Sequence, residues 1–371
     1  MSTLVSAAPG QITARWHKDA IAAPADSRPA AHPSRTRAWA HAWQHLTTER
    51  VTDHRHLHLD DGVLSETVSF YLTPADGSPY WTSQETDADV APVWPGPVLW
   101  AGSPHAEYGG AGTTSPNHAR TAVTEGLRLA ADLGACALVF PGVDTGQAAL
   151  LTDTEHRTGV LNLATDVAFT RPLGVAPDDW WNGIPARHRR EIRRQWRRGT
   201  EADLHLAALT GSALQSALPR FALLANTTAD RHGTRLYGAD MFHHLATVPG
   251  AVLLTAQSSD GHLIGGLYCW LYDGCLYLWA SGLDYTHPVA RLTYTWLMCE
   301  AARWAIGQHA HTIDAGRWNC QAKQRLGYHA TVLRTVVHLT EAASPAASAL
   351  TELSDRLGAR AAPYLNAGTL W

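Results

Sequence analysis

Residues 310–329 read Ala-His-Thr-Ile-Asp-Ala-Gly-Arg-Trp-Asn-Cys-Gln-Ala-Lys-Gln-Arg-Leu-Gly-Tyr-His. A carboxylate, Asp314, ends a short apolar strand, and an ammonium, Lys323, follows in a short helix that stops at Gly327. Gly316 between them permits a backbone angle that other residues resist. In α/β sheets the carboxyl ends of strands line the ligand crevice, so Asp314 and Lys323 are candidates for one site. There a carboxylate can take a proton and an ammonium can steady developing negative charge. The competing reading is structural: an internal salt bridge, with Gly327 as a helix C-cap.

Residues 187–198 are the second segment of unusual chemistry. They read Arg-His-Arg-Arg-Glu-Ile-Arg-Arg-Gln-Trp-Arg-Arg. Seven arginines against one glutamate give this segment +6, so the remaining residues carry −10 of the chain's net −4. At about 100° per residue the arginines cover roughly half of a helix, with His188, Ile192 and Gln195 on the other side. A solvated face paired with surface acids is one reading. The other is a phosphate-contacting surface, because clustered guanidiniums repel one another unless anions are near, and Arg suits bidentate phosphate contact. The segment is short, so it fits a tRNA end or a cofactor phosphate, and no DNA duplex is expected. Trp196 reads as core.

Composition narrows the class. The chain has 371 residues, 45% of them hydrophobic and 17% charged, with 15 tryptophans. That length predicts two domains. Five cysteines, Cys136, Cys269, Cys275, Cys299 and Cys320, form no C-x-x-C pair, which predicts reduced thiols and a cytoplasmic protein. No leader pattern opens the sequence, and no uncharged apolar run approaches the ~18 residues of a membrane span.

Elements that would position these groups follow from periodicity and turn chemistry. Residues 1–34, rich in Ala, Pro and Ser, read as weakly ordered. Ser34 is the expected N-cap of a helix over Arg37–Leu46, and His54–Leu59 and Val68–Leu72 read as strands. Residues 73–97 read as a long loop. Val98–Trp100, a Gly-rich stretch Tyr108–Thr114, a helix over Asn117–Leu133 and a strand Ala137–Phe140 form an α/β unit, with another strand at Val160–Leu163. Helices are expected over Leu214–Arg231 and Ala239–Leu245. Three hairpin-linked strands then cover Ala251–Gln257, Ile264–Leu271 and Gly274–Ala280. A long helix over Ala290–Gln308, a strand Thr312–Asp314, a helix over Gln321–Leu326, a strand Ala330–Leu339 and a helical tail complete the reading.

With these pieces in order, the chain resembles the Fem-type, double-GNAT acyltransferases. The resemblance rests on Asp179-Trp180-Trp181 with Arg189-Arg190 and Arg193-Arg194, and on Arg231-His232-Gly233. It rests also on Asp260-Gly261 with Gly265-Gly266, on Leu276-Tyr277-Leu278-Trp279-Ala280-Ser281-Gly282-Leu283-Asp284, and on Asp314-Ala315-Gly316 with Lys323 and Gly327-Tyr328. Upstream, Gly102 with Tyr108-Gly109-Gly110 and Val139-Phe140 are similar to the first half of such proteins. The resemblance implies an α/β (mixed α+β) fold of two tandem GNAT-like domains, each a twisted mixed sheet flanked by helices. Their expected spans are 35–175 and 176–340, after the tail 1–34 and before a helical tail 341–371.

It further implies amide-bond formation on a small-molecule or peptide amine. Fem-type enzymes take the acyl group from aminoacyl-tRNA and other GNAT enzymes from acyl-CoA, and neither donor is a tightly bound cofactor. A lysine in the K-x-x-x-G position, here Lys323, is expected to steady the donor or the oxyanion. Acyl-CoA enzymes carry a glycine-rich pyrophosphate loop before a helix. Here that position reads Gly282-Leu283-Asp284-Tyr285-Thr286-His287-Pro288-Val289-Ala290-Arg291, without paired glycines. This favours aminoacyl-tRNA, held by Arg189, Arg190, Arg193, Arg194 and Arg197. Tyr108–Gly112 is the alternative phosphate loop, for an acyl-CoA donor. A non-catalytic protein that kept the fold is the third reading.

The expected base is Asp284 or Asp314, with a carboxyl pKa raised by desolvation. Backbone N–H groups near Trp279–Ser281 would polarise the carbonyl. Arg231, His232, Tyr268, Tyr277, Trp279 and Arg317 are candidates for the substrate pocket. Cys269 and Cys275 lie in apolar strands and read as core. His54, His56 and His58 share a strand face. No zinc spacing accompanies them, so no metal is expected and an exposed polar edge is the reading preferred.

Overall fold

The computed structural model describes residues 12–365, apart from residues 29, 47, 104, 110–112, 114, 154–158, 232–236, 239 and 342–344. The fold is mixed α/β, as expected, and the chain divides into two compact units. The division falls after Asp166, and residues 332–362 belong to the first unit while 167–331 form the second. The units are thus interleaved along the chain and do not follow the sequential boundaries expected at 175/176 and 340/341.

In the first unit β1 (Thr13–His17), β2 (Asp53–Asp60), β3 (Ser65–Thr73) and β4 (Val98–Ala101) run antiparallel in order. β4 then crosses through α3 (Pro116–Asp132) to the parallel strand β5 (Ala137–Val143). Val336–Leu339 of β12 (His329–Leu339) pairs antiparallel with β5. Alternation sorts the core into two layers. Leu99, Leu138 and Phe140 pack toward α3 with Val68 and Phe70. Val98, Trp100 and Val139 pack on the other face with Trp81, Trp94 and the leucines 350, 353 and 357 of α11 (Ala346–Ala361).

Three expectations need correction here. β1 pairs in full with β2, so part of the stretch expected to be weakly ordered is a strand. The stretch 73–97 contains helix α2 (Pro79–Ala88), started by a Ser78 cap and by Pro79 in the first turn. Gly77, Gly96, Asp76 and Asp89 flank the helix and give the stretch its loop-like composition, while Asp87 lies within it. Helix α1 (Arg37–Trp43) is capped by Thr36, whose Oγ1 accepts from Trp39 N at 3.1 Å, and not by Ser34. Ser34 instead donates to the Tyr108 carbonyl.

The β2 histidines are not an exposed edge either. His56 and His58 are buried, with His56 against Ser69 and Gln44. Desolvation, reinforced by His54, pushes His56 down to about 4.

In the second unit β7 (His205–Leu209), β8 (Ala251–Gln257), β9 (Leu263–Tyr272) and β10 (Cys275–Leu283) form an antiparallel run. β10 crosses through α9 (Ala290–Gly307) to parallel β11 (Thr312–Asp314). Thr170–Pro172 of β6 (Val160–Pro172) closes this run against β11. Helix α7 (Gly211–Arg231) lies on β10, where a Cβ on Gly282 would sit 2.7 Å from Ala225 N, so only glycine allows that approach. Helix α6 (Ala186–Glu201) packs on α9 through Ile192 and through Gly199, which faces Trp296. No described helix is long and apolar enough to cross a membrane.

A pH dependence of stability follows from His56. Its native pKa lies below the ordinary histidine value, so the neutral form is favoured by folding. Its contribution is full above about pH 6.5 and is lost as the pH falls toward 4, on the order of 3 kcal/mol. Urea unfolding between pH 7 and pH 4 is expected to show this loss, with a shallower slope in His56→Gln. Equal slopes would contradict the assignment.

Candidate active site

β10 and β11 are hydrogen-bonded partners only over Cys275–Tyr277 and Thr312–Asp314. Beyond that point β10 continues to Leu283 while β11 ends. Its register with β9 slips between Leu278 and Ala280, a bulge centred on Trp279. A bulge re-aims backbone groups and twists the strand. The backbone around Trp279–Ser281, expected to polarise a carbonyl, therefore lies on the stretch of β10 that extends past β11.

Asp314 and Lys323 meet on one turn. Both are buried. Asp314 Oδ1 accepts from Gly316 N at 2.8 Å. Lys323, on α10 (Cys320–Arg325), donates from Nζ to the Gly316 carbonyl at 3.0 Å and to the Arg317 carbonyl. Its ammonium also lies 5.6 Å from the Phe169 ring centroid. The Phe169 backbone pairs with Ala315 N and Gly316 O. Gly316, Trp318 and Asn319 all have positive φ. Left-handed backbone at two non-glycine residues costs free energy and persists only where contacts over-determine it. Those contacts include Lys323 from below and Tyr294 of α9, whose phenol bonds the Asn319 side chain.

Behind the turn lies a group that sequence reasoning missed. Arg171 is buried, stacks 3.8 Å from the Trp180 ring centroid and donates to the carbonyls of Leu326 and Trp180. Desolvation pulls its guanidinium down to about 10. It fastens the end of α10 to α5 (Asp179–Asn182). Gly327 has φ +85, and a Cβ there would lie 2.2 Å from Gly183 O, so the K-x-x-x-G glycine is required by this approach. The available signal was one arginine inside the apolar run Val167–Pro172, a charge whose burial demands partners. Tyr328, next in sequence, has a buried phenol that desolvation holds in its neutral form, and Asp314 is among its charged neighbours.

The other expected residues separate into groups. Tyr277 stands opposite Asp314 in the parallel register, and burial pushes its phenol up. Tyr268 is core, with its hydroxyl on the Phe242 carbonyl at 3.1 Å. Trp279 belongs to the same aromatic cluster with Trp270, Phe242 and Tyr237. Arg317 joins the Lys323 turn through its backbone. Arg231 lies over the Tyr285 ring at 4.5 Å. His232 lies outside the described residues. Cys269 and Cys275 are buried, and desolvation pushes the Cys269 thiol up.

Asp284 is corrected. Its carboxylate accepts from the Thr286 hydroxyl and N–H and from Arg220 at 2.9 Å, and His262 is 3.4 Å away. These partners, the Thr286 hydroxyl foremost, hold it below the ordinary carboxylate range, so it lacks the raised pKa expected of a base. The loop that follows is closed on itself: His287 N bonds Asp284 O, Ala290 N bonds His287 O, and Leu292 N bonds Val289 O.

Helix α6 turns most of its charge outward. Arg187, Arg190, Arg193, Arg194, Arg197 and Arg198 are exposed. Arg194 pairs with Glu191 at 2.8 Å, and Arg193 lies 5.2 Å over the Trp181 ring. Arg189 bonds the carbonyls of Ile184 and Asn182. Among the described residues, no carboxylate forms an ion pair with Arg187, Arg190, Arg193, Arg197 or Arg198. Trp196 is half-buried, its indole on Glu300 at 2.6 Å. No group of three His, Cys, Asp or Glu side chains among the described residues is placed to hold a metal ion.

Residues 186–324 match the family described as the acetyltransferase (GNAT) domain. That match lies wholly within the second unit. The GNAT match begins at α6 and ends within α10, so it contains both the arginine helix and the Asp314–Lys323 turn. Among solved structures, FemX is 11% identical and covers 84% of this chain and 93% of its own, with a TM-score of 0.57. L-PGS from Bacillus licheniformis is 11% identical over 70% of this chain and 82% of its own, TM-score 0.48. The C-terminal domain of a putative lysylphosphatidylglycerol synthetase from Agrobacterium fabrum is 10% identical over 69% and 81%, also at 0.48. At such identity the likeness to FemX is one of fold. No curated protein sequence matched.

Lys323→Met tests the turn. It leaves the half-buried Arg317 carbonyl without the ammonium and the Gly316 carbonyl with Phe169 N alone, at an expected cost of about 1–3 kcal/mol. Hydrogen exchange should show faster exchange of amides 314–319 with the strands β8–β10 unchanged. Protection equal to wild type would mean that the ammonium does not hold the turn.

Proposed function

We propose that this chain forms an amide bond by transferring an aminoacyl group from aminoacyl-tRNA to an amine acceptor, a cell-wall precursor or a specialised metabolite. The observation that carries this reading is the exposed arginine face of α6 inside the GNAT domain, five of whose guanidiniums form no ion pair with a carboxylate among the described residues. Such a face gains from a polyphosphate and little from isolated surface acids. The connection from β10 to α9 supports the same donor. A CoA pyrophosphate needs open backbone N–H groups at a helix N-terminus. Here Asp284 puts a carboxylate in that place, Pro288 brings no N–H, and the amides of Thr286, His287 and Ala290 are already bonded within the loop.

In this reading the extended, bulged part of β10 presents the donor carbonyl to backbone N–H groups. The turn 314–319, held by Lys323, orients the reacting groups, with Lys323 kept as a candidate to steady the oxyanion. Asp314, buried opposite Tyr277, is the remaining candidate to take the amine proton. Arg231, Trp279 and Arg317 are candidates to contact the acceptor. The second reading is acyl-CoA transfer, favoured by the description of the matched family as acetyltransferase. Its candidate phosphate loop, Tyr108–Gly112, lies partly outside the described residues.

Calorimetric titration with bulk tRNA and, separately, with acetyl-CoA tests the donor. Salt-sensitive tRNA binding without a CoA signal is expected. In Arg193→Glu/Arg194→Glu the slope of log K against log salt should fall by about two, with binding weakened at every salt concentration. Unchanged affinity and slope would make α6 a solvated face, and tight acetyl-CoA binding without tRNA binding would transfer the reading to acyl-CoA.

A further inference from the structure

The first unit contains a cavity of ≈ 220 Å³, away from the arginine helix and the Lys323 turn in sequence, lined among the described residues by ones between Asp26 and Gly109. That volume is below the ~300–1,000 Å³ of sites for drug-sized ligands, so it suits a metabolite of a few heavy atoms. Its walls carry both signs of charge. Asp26 and Glu66 bring carboxylates, Arg28 and Arg35 bring guanidiniums, and Trp39 and Tyr71 supply aromatic surface.

The carboxylates are only partly compensated. Asp26 accepts from the Thr67 hydroxyl at 2.9 Å, with Arg37 a cation acting on it and Glu66 repelling it. Glu66 accepts from the Thr113 side chain, has His118 Nδ1 at 3.0 Å and has Asp61 as a like-charge neighbour. Desolvation raises both, Asp26 to about 6. Arg35 donates to Gln147 at 2.8 Å, and Arg28 is exposed.

We propose that this cavity is a binding site for a small zwitterion of the amino-acid type, its ammonium on Asp26 and Glu66 beside Trp39 and Tyr71, its carboxylate toward Arg28 and Arg35. The balance of charges selects this class. A simple amine would gain the carboxylates but face two guanidiniums, and a simple acid the reverse. Buried indole and phenol faces add attraction for the ammonium. The site uses none of the residues placed in the aminoacyl-tRNA reading, whereas Gly109 of the alternative acyl-CoA loop is part of its lining.

A matched set of probes tests it on the full chain: L-2-aminobutyrate, propylamine, which lacks the carboxylate, and butyrate, which lacks the ammonium. Calorimetry is expected to show the zwitterion binding at least about tenfold more tightly than either analogue. Asp26→Asn should weaken it by a similar factor, and Arg28→Ala should remove its advantage over propylamine. If Asp26→Asn fails to fold, the wild-type protein still decides. With Asp26 near half-protonated at pH 6, zwitterion binding should release on the order of half a proton, read from two buffers of different ionisation enthalpy. No binding heat from any of the three probes, equal binding of all three, or proton uptake at pH 6 would overturn the assignment. Calorimetry with the same probes and no tRNA present separates the two proposals, because binding at this cavity should persist without a donor.

Discussion

Buried charge without water has to be answered by backbone, and the second unit is organised around two such answers. Lys323 gives its protons to the carbonyls of Gly316 and Arg317, and Arg171 gives its own to Leu326 and Trp180. Neither cation is free to leave its pocket cheaply, because an unmet buried donor or acceptor costs the full desolvation penalty. Lys323 thus holds the turn between β11 and α10, and Arg171 fixes the far end of the helix that carries Lys323. The left-handed residues Trp318 and Asn319 of the turn are tolerated because these contacts hold it. A conservative change at either cation would release a strained segment rather than delete one contact.

That organisation changes how the lysine acts. The K-x-x-x-G resemblance implies an ammonium directed at donor or oxyanion, whereas the contacts of Lys323 make it first a holder of the turn. The glycine of the same motif is explained by the approach of Gly183 O to Gly327, with no appeal to substrate. Likewise Asp284, attractive as a base by its place after the central strand, is a loop carboxylate with four contacts from Thr286, Arg220 and His262. A group so well bonded in its charged form is a weak proton acceptor. In the proposed reaction, Asp314 or water is then the candidate to take the amine proton.

Regular elements were legible wherever periodicity or turn chemistry was local. The meander β8–β10, helix α9 and the short strand β11 lie within a few residues of their expected bounds, and so does α6. What could not be read was set by distant partners. Helix α2 hides in a Pro-, Gly- and Asp-rich stretch because Ser78 and Pro79 start it locally while Trp81 anchors it to Trp94 and Trp100. The β2 histidines look like an edge in sequence, yet β1 covers their strand on one side. At the site, Asp314 and Lys323 were found by type and spacing, but Arg171 and Phe169 come from a strand more than a hundred residues upstream, and single-sequence spacing has no term for that.

The interleaving of the units follows from core chemistry. In the first unit Trp81, Trp94 and Trp100 form an aromatic layer on one face of the sheet. The residues that cover it are Leu350, Leu353 and Leu357 of α11, together with Val337 and Leu339 of β12. Residues 12–166 alone would therefore expose a tryptophan-rich face and leave β5 as an open edge, a surface that favours aggregation over folding. The last strand and helix of the chain belong to the core of its first unit. A division of this protein into sequential halves would separate the tryptophans from the aliphatic side chains that bury them.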